Sequence, residues 1–175
     1  GILVLANHPT LLDAVFLIAF IPNADCIVKK SLLKNPAMRG FMTLTGYTTN
    51  DNPDTLIDNA SSSLKQGSAL IIFPEGTRTK PRQEIMLQRG AANIAIRSRS
   101  APTPVIIECT PLTLSKQHKW YHIPERKAHL TFTVLNEINI DSFMDKNPSL
   151  GARHLTNYLR NFFTTKLQIN KHEIT

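Results

Sequence analysis

The sequence predicts an α/β fold, a three-layer arrangement in which a mainly parallel mixed sheet is flanked by helices. Short apolar runs that are typical of buried strands alternate along the 175 residues with stretches whose apolar residues recur at helical spacing. This β-α-β alternation favours parallel pairing, because each helix returns the chain to the same edge of the sheet. In such sheets, ligands bind at the loops that follow the carboxyl ends of the strands.

The expected strands are apolar or alternating runs bounded by turn residues. They cover residues 1–6, 24–29, 47–49, 68–73, 104–109 and 130–135. The expected helices have apolar residues three or four positions apart and begin or end near Pro, Asn or Gly. They cover residues 10–20, 52–67, 88–99 and 148–167, with short broken helices over 31–44. We place Pro9 in the first turn of the first helix, where its missing N–H group would have no partner in any case.

The length fits one domain with a substantial core, so residues 1–175 are expected to form a single domain. The chain starts with Gly1 rather than Met, inside an expected strand, and we therefore expect a natural segment to precede it. The longest strongly apolar run, Ala14 to Ile21, is eight residues long. A helix needs roughly 20 apolar residues to cross a bilayer, so any membrane anchor is expected in the preceding segment.

The charge balance indicates an acidic partner. Twenty Lys and Arg residues against thirteen Asp and Glu residues give a net charge of +7. Such a surplus attracts anionic lipid surfaces, phosphorylated substrates, acidic carrier proteins or nucleic acids, and no aromatic interleaving or reader motif favours the last of these. Cys26 and Cys109 lie far apart in the sequence, without the spacing of a zinc site or a disulfide scaffold.

The segment NHPTLLD places a histidine and an aspartate where they can meet. His8 falls on the turn after the first strand, and Asp13 follows five positions later at the start of the helix. An imidazole can accept a proton near neutrality, and a carboxylate on its other nitrogen fixes the tautomer and stabilises the imidazolium. Taken alone, the two residues favour an ordinary turn histidine and a first-turn acid.

The segment FPEGTR follows the expected strand over 68–73 and predicts an anion-recognition loop. Gly76 allows a tight backbone turn, Glu75 and Thr77 offer polar contacts, and Arg78 presents a guanidinium fork suited to a phosphate. An isolated Pro-x-Gly is more often a plain surface turn. Its occurrence together with NHPTLLD favours a functional site.

Other catalytic patterns are weak or missing. His118 and His122 have the spacing of metal ligands on a helix, but Trp120, Tyr121 and Pro124 favour a loop, and the sequence offers no clear third ligand. The chain has no Gly-x-Ser-x-Gly elbow, phosphate-binding P-loop or dinucleotide fingerprint. We therefore expect neither a metal site nor a cofactor.

The two segments together resemble the lysophosphatidic acid acyltransferase family, whose members acylate 1-acylglycerol-3-phosphate. The resemblance covers nearly all of the chain and implies the fold of the glycerol-3-phosphate acyltransferases. The motifs of this family are matched by Asn7, His8 and Asp13, by the block from Phe73 to Arg78, and by Pro104 and Val105 in the strand of the fourth motif.

By this resemblance, His8 removes the proton of the acceptor hydroxyl, which attacks the thioester directly, and Asp13 orients the histidine. The donor would be a thioester of acyl carrier protein or coenzyme A, and the acceptor a lysophospholipid such as 1-acylglycerol-3-phosphate. The predicted substrate-binding residues are Asn7, Lys29, Lys30, Phe73, Pro74, Glu75, Gly76, Thr77, Arg78 and Arg89.

The resemblance also implies a membrane surface as a partner, at the cytoplasmic face of a bacterial inner membrane. One departure concerns the second motif, where the family usually carries an arginine and this chain offers Asn50. The change removes a positive charge from the expected phosphate clamp and leaves another lipid or hydroxyacyl acceptor open. A non-catalytic module that binds lipid or carrier protein is the alternative outside the enzymes, and the intact pair of His8 and Asp13 argues against it.

Overall fold

The computed structural model describes residues 1–28, 48–49, 53–80, 83–118, 121, 123–144 and 147–172. Within them, one sheet contains β1 (Ile2–Ala6), β2 (Ala24–Val28), β3 (Thr48–Thr49), β4 (Ala69–Ile72), β5 (Pro102–Thr110) and β6 (His129–Val134). The helices are α1 (Asp13–Phe20), α2 (Pro53–Lys65), α3 (Gly90–Ser98) and α4 (Pro148–His172), with a 3-10 turn at Asp141–Phe143. The expected helices over 31–44 lie outside the described residues.

The strand order is β3-β2-β4-β1-β5-β6, and every pairing is parallel except that of β5 with β6. The predicted mainly parallel mixed sheet is therefore confirmed. Strand β1 lies between β4 and β5, so the carboxyl ends of these three strands lie side by side. Three loops follow them: the first loop (residues 7–12), the second loop (73–80) and the third loop (111–118).

Helices cover both faces of the sheet, as the alternation along β1 requires. Leu3 and Leu5 belong to one core and Val4 and Ala6 to the other, because successive side chains of a strand point to opposite faces. The first core packs against helices α2, α3 and α4, through Ala60, Leu64, Ala91, Ile94, Ala95, Leu155, Leu159 and Phe163. The second core packs against α1 through Leu17.

The start of α1 differs from the prediction. The helix begins at Asp13 rather than near residue 10, and Pro9 lies in the first loop instead of the first helical turn. The backbone N–H group and the hydroxyl of Thr10 both donate to the carboxylate of Asp13, at 2.7 and 2.6 Å. Threonine side chains that bond locally in this way compete with helical hydrogen bonds, so the residues before Asp13 form a bend.

Other boundaries differ by small amounts. Strand β5 starts at Pro102, two residues before the predicted start, since the parallel pairing with β1 already begins opposite Leu3. Helix α4 continues to His172 rather than ending near residue 167. That the whole chain forms a single domain stays a prediction.

Candidate active site

His8 and Asp13 are in contact, as their spacing predicts. The distance between His8 Nδ1 and Asp13 Oδ2 is 2.9 Å. The aspartate side chain is fully buried, whereas 19% of the histidine side chain is exposed. Nδ1 of the imidazole therefore contacts the buried carboxylate, and the other ring nitrogen, Nε2, takes no part in this contact.

The carboxylate of Asp13 is held by three hydrogen-bonding groups. Oδ2 contacts His8 and also accepts the backbone N–H of Thr10, while Oδ1 accepts the Thr10 hydroxyl. A buried charge is costly unless it is fully hydrogen-bonded, and the first position of α1 also favours a negative charge through the helix dipole. The arrangement therefore holds the carboxylate at a fixed place against the imidazole.

The second loop begins beside the imidazole ring. The rings of Phe73 and His8 are stacked, with 4.3 Å between their centroids and 27° between their planes. The loop then turns at Gly76, whose φ of +63° lies in the left-handed region that glycine adopts without strain. The N–H of Gly76 donates to the carbonyl oxygen of Phe73 at 2.9 Å, so the predicted tight turn is present.

The first and second loops are joined through the backbone of His8. Its carbonyl oxygen accepts the N–H of Thr79 at 2.6 Å, and its own N–H donates to Thr79 Oγ1 at 2.9 Å and to Glu75 Oε1 at 3.3 Å. The Thr79 hydroxyl in turn donates to the Glu75 carboxylate. The two motifs recognised in the sequence therefore lie against each other at one edge of the sheet.

Glu75 is a partly buried acid next to these groups. Burial raises its pKa above the ordinary value, against the hydrogen bonds from Thr79 and His8, which lower it. The negative charge of Asp13 adds to the rise in the pKa of Glu75. Its side chain supports the backbone of the histidine in this structure, whereas the sequence predicted a contact with substrate.

Arg78 connects the second loop to the third. One guanidinium nitrogen, Nη1, donates to the carbonyl oxygens of Leu114 and Ser115, at 2.9 and 3.1 Å. The Leu114 carbonyl also accepts the N–H of Leu11 from the first loop, at 3.1 Å. The first and second loops are therefore both hydrogen-bonded to the third loop at the carbonyl oxygen of Leu114. An arginine has five N–H donors, so Nη1 accounts for only part of its capacity to bind a phosphate.

The third loop was not identified from the sequence. Ser115 is fully buried there, accepts the N–H of Gln117 at 3.2 Å and lies 3.1 Å from Nδ1 of His118. The Lys116 ammonium donates to the hydroxyl of Thr77, an exposed residue of the second loop. Only the strand containing Pro104 and Val105 pointed to this region, because a polar loop carries no periodic signal that would show its burial.

Asn7 has a structural position that the sequence did not indicate. Its side chain is buried, donates to the carbonyl oxygen of Ile107 at 2.8 Å and accepts the N–H of the same residue at 2.7 Å. Both functions of the amide are therefore used to join the end of β1 to β5. Direct contact with a substrate, as predicted, would require these bonds to break. Pro74, also predicted to bind substrate, is buried.

The remaining predicted residues are more remote from the histidine or lie outside the described residues. Arg89 is exposed, directly precedes α3 and lines a groove with residues of α4. Lys29 and Lys30 are outside the described residues, as are Asn50 and His122. The described part of the chain contains no cluster of three His, Cys, Asp or Glu side chains that could hold a metal. No described helix is both long enough and apolar enough to cross a membrane.

Residues 1–108 of the chain match the family model described as Acyltransferase. The chain belongs to this acyltransferase family. The matched residues include the first loop, the second loop and strand β5 up to its contact with Asn7. The prediction of the family is confirmed.

Curated relatives of this acyltransferase domain carry more specific descriptions. The 1-acyl-sn-glycerol-3-phosphate acyltransferase of Cocos nucifera is 27% identical over 149 residues, which are 81% of this chain and 47% of the relative. The enzyme of the same description from Helicobacter pylori is 33% identical over 112 residues, or 60% of this chain and 47% of the relative. The chain thus spans about half the length of the curated relatives it matches.

A solved structure supports the fold of the domain. The crystal structure of the 1-acyl-sn-glycerophosphate acyltransferase of Thermotoga maritima matches with a TM-score of 0.70 at 20% sequence identity. The match covers 98% of this chain and 66% of the other. At this level of identity the similarity concerns the fold alone, and the predicted α/β fold of the glycerolipid acyltransferases is confirmed.

Proposed function

We propose that this acyltransferase domain moves a fatty acyl group from an acyl thioester to the free hydroxyl of a lysophospholipid such as 1-acylglycerol-3-phosphate. The observation that carries the proposal is the contact between the buried carboxylate of Asp13 and Nδ1 of the partly exposed His8. The descriptions of the curated relatives support the acceptor.

In the proposed reaction, Nδ1–H of His8 donates to Asp13, so that Nε2 is unprotonated and can accept the proton of the acceptor hydroxyl. As that O–H bond breaks, the oxygen attacks the thioester carbonyl carbon. The tetrahedral intermediate then collapses, the carbon–sulfur bond breaks, and the proton on Nε2 passes to the leaving thiolate. Asp13 stabilises the imidazolium between these two transfers, and no covalent acyl-enzyme forms.

An apolar surface beside this site suits the acyl chain. Helix α1 starts at Asp13, and one and two turns later it presents Phe16 and Phe20 to Phe132 of β6. The ring centroid of Phe132 lies 6.0 Å from that of Phe16 and 5.9 Å from that of Phe20, and Phe20 is 66% exposed. We assign the acyl chain to these three rings, of which Phe20 is exposed and Phe16 and Phe132 are partly buried.

The second loop supplies donors for the phosphate of the acceptor. We assign the phosphate to the Arg78 N–H groups other than Nη1 and to the turn at Gly76 and Thr77. Lys29, Lys30 and Arg89 stay predictions as substrate-binding residues. Either thioester, of acyl carrier protein or of coenzyme A, would suit the net charge of +7, and so would a position at the cytoplasmic face of a bacterial membrane.

Release of free thiol from acyl coenzyme A or acyl carrier protein tests the proposal. The acceptor panel should contain 1-acylglycerol-3-phosphate, a lysophospholipid with a different headgroup, and a hydroxyacyl compound, because Asn50 replaces the arginine of the second motif. We expect His8→Ala to lower acceptor-dependent release by about 10²–10⁴-fold, the usual contribution of general-base catalysis.

The matched control is His129→Ala, which removes an exposed histidine from β6 and should leave the rate within about twofold, as surface changes usually do. Circular dichroism melting of both variants separates loss of chemistry from loss of fold. Acceptor-dependent release that survives in a folded His8→Ala variant contradicts the mechanism. Binding of lipid or carrier protein with no thiol release from the parent favours a non-catalytic module.

A further inference from the structure

A second positively charged feature lies outside the residues that surround His8. A groove with a volume of about 270 Å³ runs between the segment 86–89 and helix α4. Arg89 forms one wall, and Arg153 and Arg160 of α4 form the other. We call this feature the arginine groove.

The groove residues of α4 occupy one face of the helix. Arg153, Thr156, Asn157 and Arg160 follow the spacing i, i+3, i+4 and i+7, which places side chains in one row along a helix. The buried face of α4, which includes Leu155, packs on the core. The groove side chains are therefore not needed to hold the helix on the domain, and Arg153 and Asn157 are exposed.

The charges in the groove have no acidic partner among the described residues. In this part of the chain no acidic side chain lines the groove, and no carboxylate lies within 4.0 Å of the guanidinium groups of Arg89, Arg153 or Arg160. The three arginines carry like charges and repel one another. An anion bound between them would be attracted to each of them and would offset this repulsion. Guanidinium forks match phosphate oxygens in geometry, and the amide of Asn157 adds a neutral donor.

The segment 86–89, which lines the groove, is hydrogen-bonded to the second loop. The N–H of Gln88, which directly precedes Arg89, donates to the carbonyl oxygen of Pro74 at 2.7 Å. Pro74 in turn follows Phe73, whose ring stacks on His8. A ligand held in the groove would therefore lie beside the segment 86–89, which is bonded to the second loop at Pro74.

From this geometry we propose that the arginine groove is a second phosphate-binding site. Its ligand is a phosphate group carried either by a soluble nucleotide-type thioester donor or by the headgroup of an anionic glycerophospholipid at a membrane surface. We name the thioester donor and the anionic lipid as sources because of the proposed acyl transfer. The expected affinity for phosphate itself depends only on the residues of the groove. The site would hold the donor, or the membrane, beside the catalytic loops while Arg78 contacts the acceptor.

Direct binding measurements test the site without relying on catalysis. Titration calorimetry with coenzyme A, and cosedimentation with phosphatidylcholine vesicles with and without phosphatidylglycerol, should be compared for the parent and for the double variant Arg153→Gln/Arg160→Gln. The control pair Arg126→Gln/Lys127→Gln removes the same charge from an exposed loop. The same titrations in a His8→Ala background remain readable even if the proposed acyl transfer is wrong.

We expect the Arg153→Gln/Arg160→Gln variant to bind one of the two probes roughly tenfold more weakly or worse, since each charge-assisted bond to phosphate contributes strongly, and millimolar inorganic phosphate to compete in the parent. Loss confined to coenzyme A identifies the donor as the source, and loss confined to anionic vesicles identifies the lipid. An equal loss in the control pair assigns the effect to net charge and overturns the proposal, as does absence of binding to both probes by the parent.

Discussion

The segment from His8 to Asp13 and the second loop differ in how far their polar side chains reach. Within that segment, His8 and Thr10 both bond to the carboxylate of Asp13, across at most five positions of sequence. In the second loop, Glu75 bonds to the backbone of His8, 67 residues away, and Arg78 to carbonyl oxygens 36 and 37 residues away. The side chains from His8 to Asp13 organise one another, whereas those of the second loop organise the loops around it. Asn7, just before the segment from His8 to Asp13, also bonds over a long range, to Ile107.

This difference indicates that the motifs NHPTLLD and FPEGTR have different roles in the site. The contact between His8 and Asp13 needs only a strand end, a bend and a helix start, so the acid–base pair is a local property of one short segment. The second loop has no comparable internal pair, apart from the bond between Thr79 and Glu75. Changes at His8 or Asp13 should therefore affect the chemical step, and changes in the second loop should affect the placement of its neighbours.

Asp13→Asn is the substitution with the largest expected effect beyond that of His8. An amide at this position presents an N–H group to Thr10 or to His8 where an acceptor is needed, so the imidazole loses its tautomer and its counter-charge. We expect the single-turnover rate of thiol release to fall by about 10²–10⁴-fold.

If the pair acts as a unit, the double variant His8→Ala/Asp13→Asn should be no slower than His8→Ala alone, because residues of one catalytic unit are not additive. Asp141→Asn, an exposed acid in the 3-10 turn, is the matched control. Additive losses in the double variant would show that Asp13 acts independently of the imidazole, against the local organisation of the first loop.

Asn7→Ala should have the next largest effect, which is a loss of stability. It leaves the N–H and carbonyl groups of Ile107 without their buried partner, and each unsatisfied group costs about 1–3 kcal/mol. We expect the free energy of unfolding to fall by roughly 2–4 kcal/mol in urea titrations, with Asn136→Ala as an exposed control. A stable Asn7→Ala protein with weakened substrate binding would instead support the contact predicted from the sequence.

The comparison of the loops also explains how much the sequence could predict. The turn at Gly76 and the contact of His8 with Asp13 depend on neighbours in sequence, and both were predicted. The bonds from Asn7 to Ile107 span 100 residues, and those from Arg78 to the third loop depend on the order of the strands. No local pattern carries that information, so the bonds of Asn7 to Ile107 and the third loop were not predicted.

In the fold, too, some elements were predicted from the sequence pattern and one helix start was not. Periodicity indicated β1, β4 and the buried face of α4, since one surface of each must be apolar. The start of α1 was misplaced, because the competition between a helical turn and the bonds from Thr10 to Asp13 is decided by a few hydrogen bonds. Such competition does not change the hydrophobic pattern from which a helix is predicted.

Arg78→Ala should have an intermediate effect that spreads beyond its own loop. The substitution removes both bonds to the third loop, where hydrogen bonds from a charged donor contribute about 1.5–3 kcal/mol. We expect amide hydrogen exchange in residues 111–118 to accelerate by roughly tenfold or more, with little change in α4. Arg126→Ala is the control. Unchanged exchange in the third loop would mean that Arg78 serves only the ligand.

Glu75→Gln should have the smallest effect, and it is visible only as a dependence on pH. Burial raises the pKa of Glu75 above its ordinary value of 4.5, so the folded protein binds this proton more tightly than the unfolded chain. At low pH both states are protonated. As the pH rises above 4.5, the unfolded chain loses its proton first, and the folded protein loses stability until the pH has passed the raised pKa.

A glutamine side chain at this position can still accept the hydrogen bonds of Thr79 and His8 through its carbonyl oxygen, but it does not ionise. The difference in free energy of unfolding, Glu75→Gln variant minus parent, should therefore increase with pH from about 4.5 and then level off. Urea titrations at several values between about pH 4 and 7 measure it, with Glu125→Gln as an exposed control. A difference that stays flat would show that the bonds to the first loop offset the effect of burial, and one that falls with pH would show that they outweigh it and favour the ionised carboxylate. In that case the second loop would depend on electrostatic support from its neighbours as strongly as they depend on it.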